Sequence, residues 1–361
     1  MSSNFGDNIK VTIFGQSHSD AIGVVIDGLP AGETIDLETL QRFMNRRAPG
    51  SSEYVTQRQE KDIPEILSGL LDGVTCGAPL CAIIKNNDAH SKDYDKIRDI
   101  PRPSHADYPA YIKYEGFNDI RGGGHFSGRM TAPLCFAGAV CKQILERRGI
   151  FVGAHISAIG DVEDELFGPA RTSAVQLKAV GDKAFPTIND AAAEKMVKAI
   201  EDVAKKQDSI GGVVECCAVG MPTGIGEPMF DGVENRLASA MFGIPAVKGI
   251  EFGIGFAAAK MHGSENNDPY FFEDGKVKTL TNNHGGILGG ITTGMPIILR
   301  VAFKPTPSIG IEQNSVKLSE KTNSTIKIEG RHDPCIVPRA VVAVEAVTAI
   351  VLLDLLNKGV N

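Results

Sequence analysis

Short runs in which apolar residues dominate or alternate with polar ones recur along this chain. Ile9–Gly15 (IKVTIFG), GVVIDGL, PLCAIIK, GGVVECCAVG, GIEFGIGF, MPIILRVAF and STIKIEG read as strands. Between them the apolar spacing turns helical. DLETLQRFMNRR sets Leu37, Leu40 and Phe43 or Met44 on one face, with Asp36 as its cap and a stop before Pro49-Gly50. RMTAPLCFAGAVCKQILERR predicts a helix over Ala132–Arg148, with Leu134, Cys141 and Leu145 on one stripe, Pro133 in its first turn and Ser127 as N-cap. DAAAEKMVKAIEDVAKK buries Met196, Ile200 and Val203 and offers Glu194–Lys198 and Glu201–Lys205 pairs outside. A last helix follows Pro338. Its apolar run, Ala340–Leu356, is broken by Glu345 and Asp354, which predicts a buried core helix rather than a membrane span. The order of elements means α/β or α+β and leaves sheet topology open.

Composition adds limits. A chain of 361 residues with 42% hydrophobic residues can build one large domain or two of average size. A net charge of -7 argues against a general nucleic-acid or membrane-surface binder, yet allows a local basic pocket for an acidic small molecule. The seven cysteines form no CxxC pair and read as buried free thiols. MSSNFGDNIK has no apolar core segment, so a cytoplasmic location is expected.

The candidate chemistry lies in five stretches. DIRGGGHFSGRMT (Asp119–Thr131) runs a glycine triplet into a helix, where bare amides and the helix dipole suit an anion, with Arg121, His125 and Arg129 beside it. TIFGQSHSD ends a strand at Gly15 and places Ser17 and His18 just after it; Ser19 stands where a nucleophile elbow needs glycine, so His18 reads as a general acid or anion ligand. NRRAPGSSEYVTQRQEKD carries Arg46, Arg47 and Arg58, a guanidinium cluster suited to carboxylate or phosphate. RPSHADY puts His105 between Arg102 and Asp107, a cation and a carboxylate that can tune a proton donor. GRHDPC supplies Arg331, His332 and Asp333 between a strand and the last helix. The eight histidines include no HExxH or similar pair. GIGFAA lacks the helix a dinucleotide fingerprint needs, and DGKV is not a Walker loop.

Taken in order, FGQSHS, RRAPG, QRQEKD, RPSHADY, RGGG, DSIGG, AVKGIEFGIGF, NNHGGILGGITTGMPI, AFKPTPSI and GRHDPC…PRAV resemble the chorismate synthases over nearly the whole chain. The resemblance implies an α+β fold, a β-α-β sandwich, over residues 1–361 as a single catalytic domain in a homotetramer. It implies anti-1,4-elimination of phosphate from 5-enolpyruvylshikimate 3-phosphate to give chorismate, with reduced FMN and no net redox change. Electrons for the flavin would come through NAD(P)H or a separate flavin reductase, which the sequence leaves open. No metal, nucleic acid or membrane is implied.

Carried over by motif, His18 would protonate the departing phosphate, His105 would set the flavin's protonation state, and Asp333 would help deprotonate it. Ser17, Arg47, Arg58, Arg102, Arg129 and Arg331 would meet substrate anions. The cofactor would lie against Arg47, His125, Phe126, Ser127, Pro245, Ala246, Gly289, Lys304, Pro305, Thr306, Pro307, Ser308 and Arg331. This chain departs from the common family pattern where His125-Phe126-Ser127 replaces Arg-Ser-Ser, where Met130 replaces an acidic residue, and at Glu53, where many members have arginine. Glu53 counts against a pyridine-nucleotide contact at that point. Two other readings are a flavin oxidoreductase using the same pocket for net electron transfer, against which the missing dinucleotide fold counts, and a flavin- or anion-binding protein without turnover.

Overall fold

A computed structural model describes residues 3–48, 62–86, 98–328 and 333–357. Arg58 and Arg331, with Glu53 and His332, lie outside the described residues.

Two five-stranded antiparallel sheets enclose a layer of helices. The first sheet runs in the order Asn4–Phe5, Lys10–Gly15, Ala21–Asp27, Leu80–Lys85, Glu65–Ser68. The second runs Val247–Phe252, Ile297–Phe303, Gly212–Val219, Phe151–Ile159, Val162–Glu163. Period-two alternation turns Ile22, Val24 and Ile26 of one sheet, and Val214, Cys216 and Ala218 of the other, into a single continuous core. The sandwich that the resemblance implies is what the chain forms. Six of the seven runs read as strands meet a strand of these two sheets. The seventh, STIKIEG, overlaps Thr322–Ile326, which pairs with Gln313–Lys317 in a separate hairpin. The strand Phe151–Ile159 escaped that reading, because FVGAHISAI is buried on both faces and interrupted by Gly153 and His155, which hides the alternation that marks a strand.

The middle layer is built from two long helices. Thr131–Arg147 packs on the first sheet and Val337–Leu356 on the second. They cross at Gly138, where an added Cβ would sit 2.2 Å from the Cβ of Ala346, so only glycine permits this approach. The second helix is buried all round past its first turn, and its two carboxylates are both satisfied. Glu345 accepts from Arg46 at 2.6 Å and Lys142 at 2.8 Å, while Asp354 accepts from the backbone N–H groups of Asp7, Asn8 and Ile9 and from Arg236. No helix among the described residues is long and apolar enough to cross a membrane.

Asp36 caps the Leu37–Arg47 helix as its position predicts, accepting from the N–H groups of Glu38 and Thr39. Three local expectations need correction. The glycine-loop helix starts at Thr131, and Ser127 caps the short 3-10 turn Gly128–Met130 that leads into it. Lys205 pairs with Asp202 rather than Glu201. Five cysteines are buried, with burial pushing Cys135, Cys141, Cys216 and Cys335 up to about 12, but Cys76 is exposed.

Candidate active site

A cavity of about 490 Å³ opens at one end of the helical layer, where both long helices present their N-termini: Thr131 of one, and Ile336, Arg339, Ala340 and Ala343 of the other. The two helix dipoles make this end electropositive. The glycine loop, the RPSHADY turn and the Lys304–Ser308 segment complete the wall.

The glycine triplet separates the two candidate histidines. Gly122, Gly123 and Gly124 all have positive φ, at 59°, 85° and 56°. A Cβ on Gly122 would lie 2.4 Å from His18 Cε1 and 2.6 Å from Ser17 Oγ; one on Gly123 would lie 3.1 Å from His105 Nε2. Ser17 also donates its backbone N–H to Gly124 O at 3.1 Å. Thus His18 and Ser17 are buried directly behind Gly122, and His105 stands at the cavity wall over Gly123.

The grouping within RPSHADY forms as its spacing predicts. Asp107 accepts from Arg102 Nε at 2.7 Å and Nη2 at 2.8 Å, and its Oδ1 lies 2.5 Å from His105 Nδ1. Burial opposes ionisation of Asp107, but the hydrogen bonds from Arg102 and His105 prevail and hold its carboxyl far below the usual carboxylate range. With Nδ1 directed at Asp107, the ring turns Nε2 toward Gly123.

Arg129 points inward, whereas Arg121 pairs with Asp119 at the surface. The two arginines flanking the loop therefore separate, one buried and one solvated. Arg46 and Arg47 part in the same way: Arg46 serves the buried Glu345, and Arg47 turns to Asp62. Asp62 bridges Arg47 and Arg129, and Arg47 Nη1 donates to Thr131 Oγ1 at 3.2 Å. Arg339 follows, donating from Nη1 to Asp333 at 3.0 Å and from Nε to Arg47 O at 3.0 Å. Burial, reinforced by Arg47, lowers the Arg339 pKa to about 10. Among the described residues, three guanidinium groups, Arg47, Arg129 and Arg339, gather around two carboxylates, Asp62 and Asp333.

Of the expected cofactor contacts, Phe126, Ser127, Pro245, Ala246, Lys304, Thr306, Pro307 and Ser308 line the cavity. Ala246 adopts φ 73°, in the left-handed region, and its carbonyl accepts from the Lys304 N–H at 3.0 Å. Thr306 Oγ1 is buried without a hydrogen-bond partner among the described residues. The remaining contacts lie elsewhere. The His125 ring is turned to Gly15 O at 2.7 Å and Ser3 Oγ at 2.8 Å, tying the loop to the first sheet. Pro305 and Arg47 are not in the wall, and Gly289 sits in the turn of the hairpin Ile287–Leu288/Ile291–Thr292. Sequence reasoning missed Asp62 and Asn86, which accepts from Arg129 Nε at 3.1 Å, and gave Arg339 no role. Spacing offers no signal for partners so distant in the chain.

A family model described as chorismate synthase matches residues 9–356. The chain belongs to the chorismate synthase family. It is 51% identical over 352 residues to a chorismate synthase of Pyrococcus abyssi, covering 97% of this chain and 96% of that relative. With the chorismate synthase of Korarchaeum cryptofilum it shares 49% over 350 residues, again 97% and 96% of the two chains. A crystal structure of chorismate synthase matches with a TM-score of 0.77 at 30% identity, over 98% of this chain and 93% of that one. As a member of the chorismate synthase family it is a carbon–oxygen lyase of the final shikimate-pathway step, eliminating phosphate from 5-enolpyruvylshikimate 3-phosphate to give chorismate. That membership displaces the oxidoreductase and non-catalytic readings.

Proposed function

We propose that the cavity binds reduced FMN and 5-enolpyruvylshikimate 3-phosphate together, with His18, His105 and Asp333 as its acid–base groups. The observation that carries this reading is the gathering of Arg47, Arg129 and Arg339 beside two helix N-termini, with Arg129 and Arg339 in the cavity wall. The substrate has two carboxylates and a phosphate, and such a seat suits them. The wall also fits a flavin: Phe126, Pro245 and Ile244 supply apolar surface, Lys304 a cation, and Thr306 Oγ1 a buried group in need of a partner.

Reduced flavin, when bound, lends electron density to the elimination and recovers it. The residues do the rest. Arg102, Arg129 and Arg339 hold substrate anions at the wall, with Arg47 behind them. His18 gives a proton to the departing phosphate oxygen. His105, fixed at Nδ1 by Asp107, holds or moves a proton at Nε2. Asp333, anchored by Arg339, takes up a proton at its carboxylate. Arg58 and Arg331 keep the substrate roles the family motifs give them, Arg331 also touching the flavin, and Ser17 supports His18. A homotetramer and a cytoplasmic location belong to the same reading; Phe117, Phe230, Phe256 and Phe272, all strongly exposed, are apolar surface that an assembly would cover.

Titration with FMN, followed by flavin fluorescence, tests the cofactor assignment. Saturable quenching is expected in the wild type. Thr306→Val should weaken it roughly tenfold without lowering the melting temperature, since an unpartnered hydroxyl is removed. No saturable change in the wild type would contradict the reading.

A further inference from the structure

Arg47 is expected to grip substrate, yet its side chain is 1% exposed and absent from the cavity wall, while Arg102 and Arg129 line it. What holds Arg47 back is Asp62. One carboxylate serves two arginines, an oxygen for each: Oδ2 accepts from Arg47 Nε at 3.0 Å and from Arg47 Nη2, and Oδ1 accepts from Arg129 Nη1. Asp62 is itself fully buried, with its backbone in the left-handed region at φ 43°. Burial opposes its ionisation, but the two guanidinium groups outweigh that and keep it charged. Their edges are what a bidentate anion would otherwise take.

We infer that Asp62 is a built-in counter-anion of the substrate site, which holds the guanidinium edges of Arg47 and Arg129 and so sets anion affinity below what the arginines alone would give. Two buried guanidinium groups cannot lie side by side without a counter-charge, so the free protein needs Asp62 to fold well. Substrate then meets arginines that are oriented but partly neutralised. The inference rests on the proposed assignment of Arg129 to substrate anions. It differs from a purely structural role in sign, because damage to a scaffold weakens binding, whereas removal of a competing carboxylate strengthens it.

The test is calorimetric titration of 5-enolpyruvylshikimate 3-phosphate, and separately of inorganic phosphate, at low ionic strength without reduced flavin. Asp62→Asn should bind both at least roughly tenfold more tightly, melt lower when free, and gain more melting temperature on binding than the wild type. Unchanged or weaker binding by a folded Asp62→Asn overturns the inference. If that variant does not fold, Arg47→Gln/Asp62→Asn removes one charge of each sign. It should bind both anions at least as tightly as the wild type, and weaker binding overturns the inference. Arg129→Ala in parallel separates the two claims: if it fails to weaken binding, the substrate assignment itself is wrong; if it weakens binding while Asp62→Asn does not tighten it, only the role of Asp62 falls.

Discussion

His18 and His105 meet one loop on consecutive residues, His18 packed against Gly122 and His105 against Gly123. The loop spaces the two imidazoles, and its positive φ angles are the reason that glycine fills both positions. The glycine run therefore also makes room: its missing side chains let two imidazoles approach one loop, His105 at the cavity wall and His18 buried behind it.

Gly122→Ala should consequently cost activity through His18. The new Cβ must displace His18 or Ser17 in a backbone region that L residues rarely adopt. Turnover should fall at least roughly tenfold with the fold retained. Gly168→Ala, where nothing lies within 4 Å, is the control and should be neutral. Steady-state rates with circular-dichroism melts of both variants decide; an active Gly122→Ala would remove the packing argument.

Asp107 acts through His105, so their effects should not add. His105→Ala and Asp107→Asn should each lower kcat at least roughly tenfold while flavin still binds. The double variant should be no slower than His105→Ala alone. Multiplying losses would show that Asp107 works independently, through Arg102.

Glu345 predicts a pH dependence of stability. Burial opposes its charge, but Arg46 and Lys142 prevail and lower its pKa from 4.5 to about 2. A carboxylate depressed in the folded state stabilises fully above its unfolded pKa, and that contribution is lost as pH falls from 4.5 toward about 2. Glu345→Gln should be less stable than the wild type by about 3 kcal/mol at neutral pH, with the gap narrowing below pH 4.5. Urea unfolding at pH 7 and pH 3 measures both gaps. An equal gap at the two pH values would contradict the pairing.

How far the sequence reveals this arrangement depends on distance along the chain. Asp36 at its helix and the Arg102–His105–Asp107 grouping are legible because their partners lie within five residues. Arg121 and Arg129 look alike in sequence, yet only packing against Asp62 and Asn86 turns one inward. Sheet order was hidden because Gly212–Val219 pairs with strands drawn from both sides of it in the chain. The buried charges follow the same rule. Arg46 finds Glu345 across 299 residues, and no periodicity signals such a pair.

The measurement that tests the central claim most directly is anaerobic turnover of 5-enolpyruvylshikimate 3-phosphate with chemically reduced FMN, following phosphate, chorismate and flavin absorbance together. Phosphate and chorismate should appear in equal amounts while the flavin ends reduced. Oxidation of flavin in step with product, or tight flavin binding with no release of phosphate, would contradict the account.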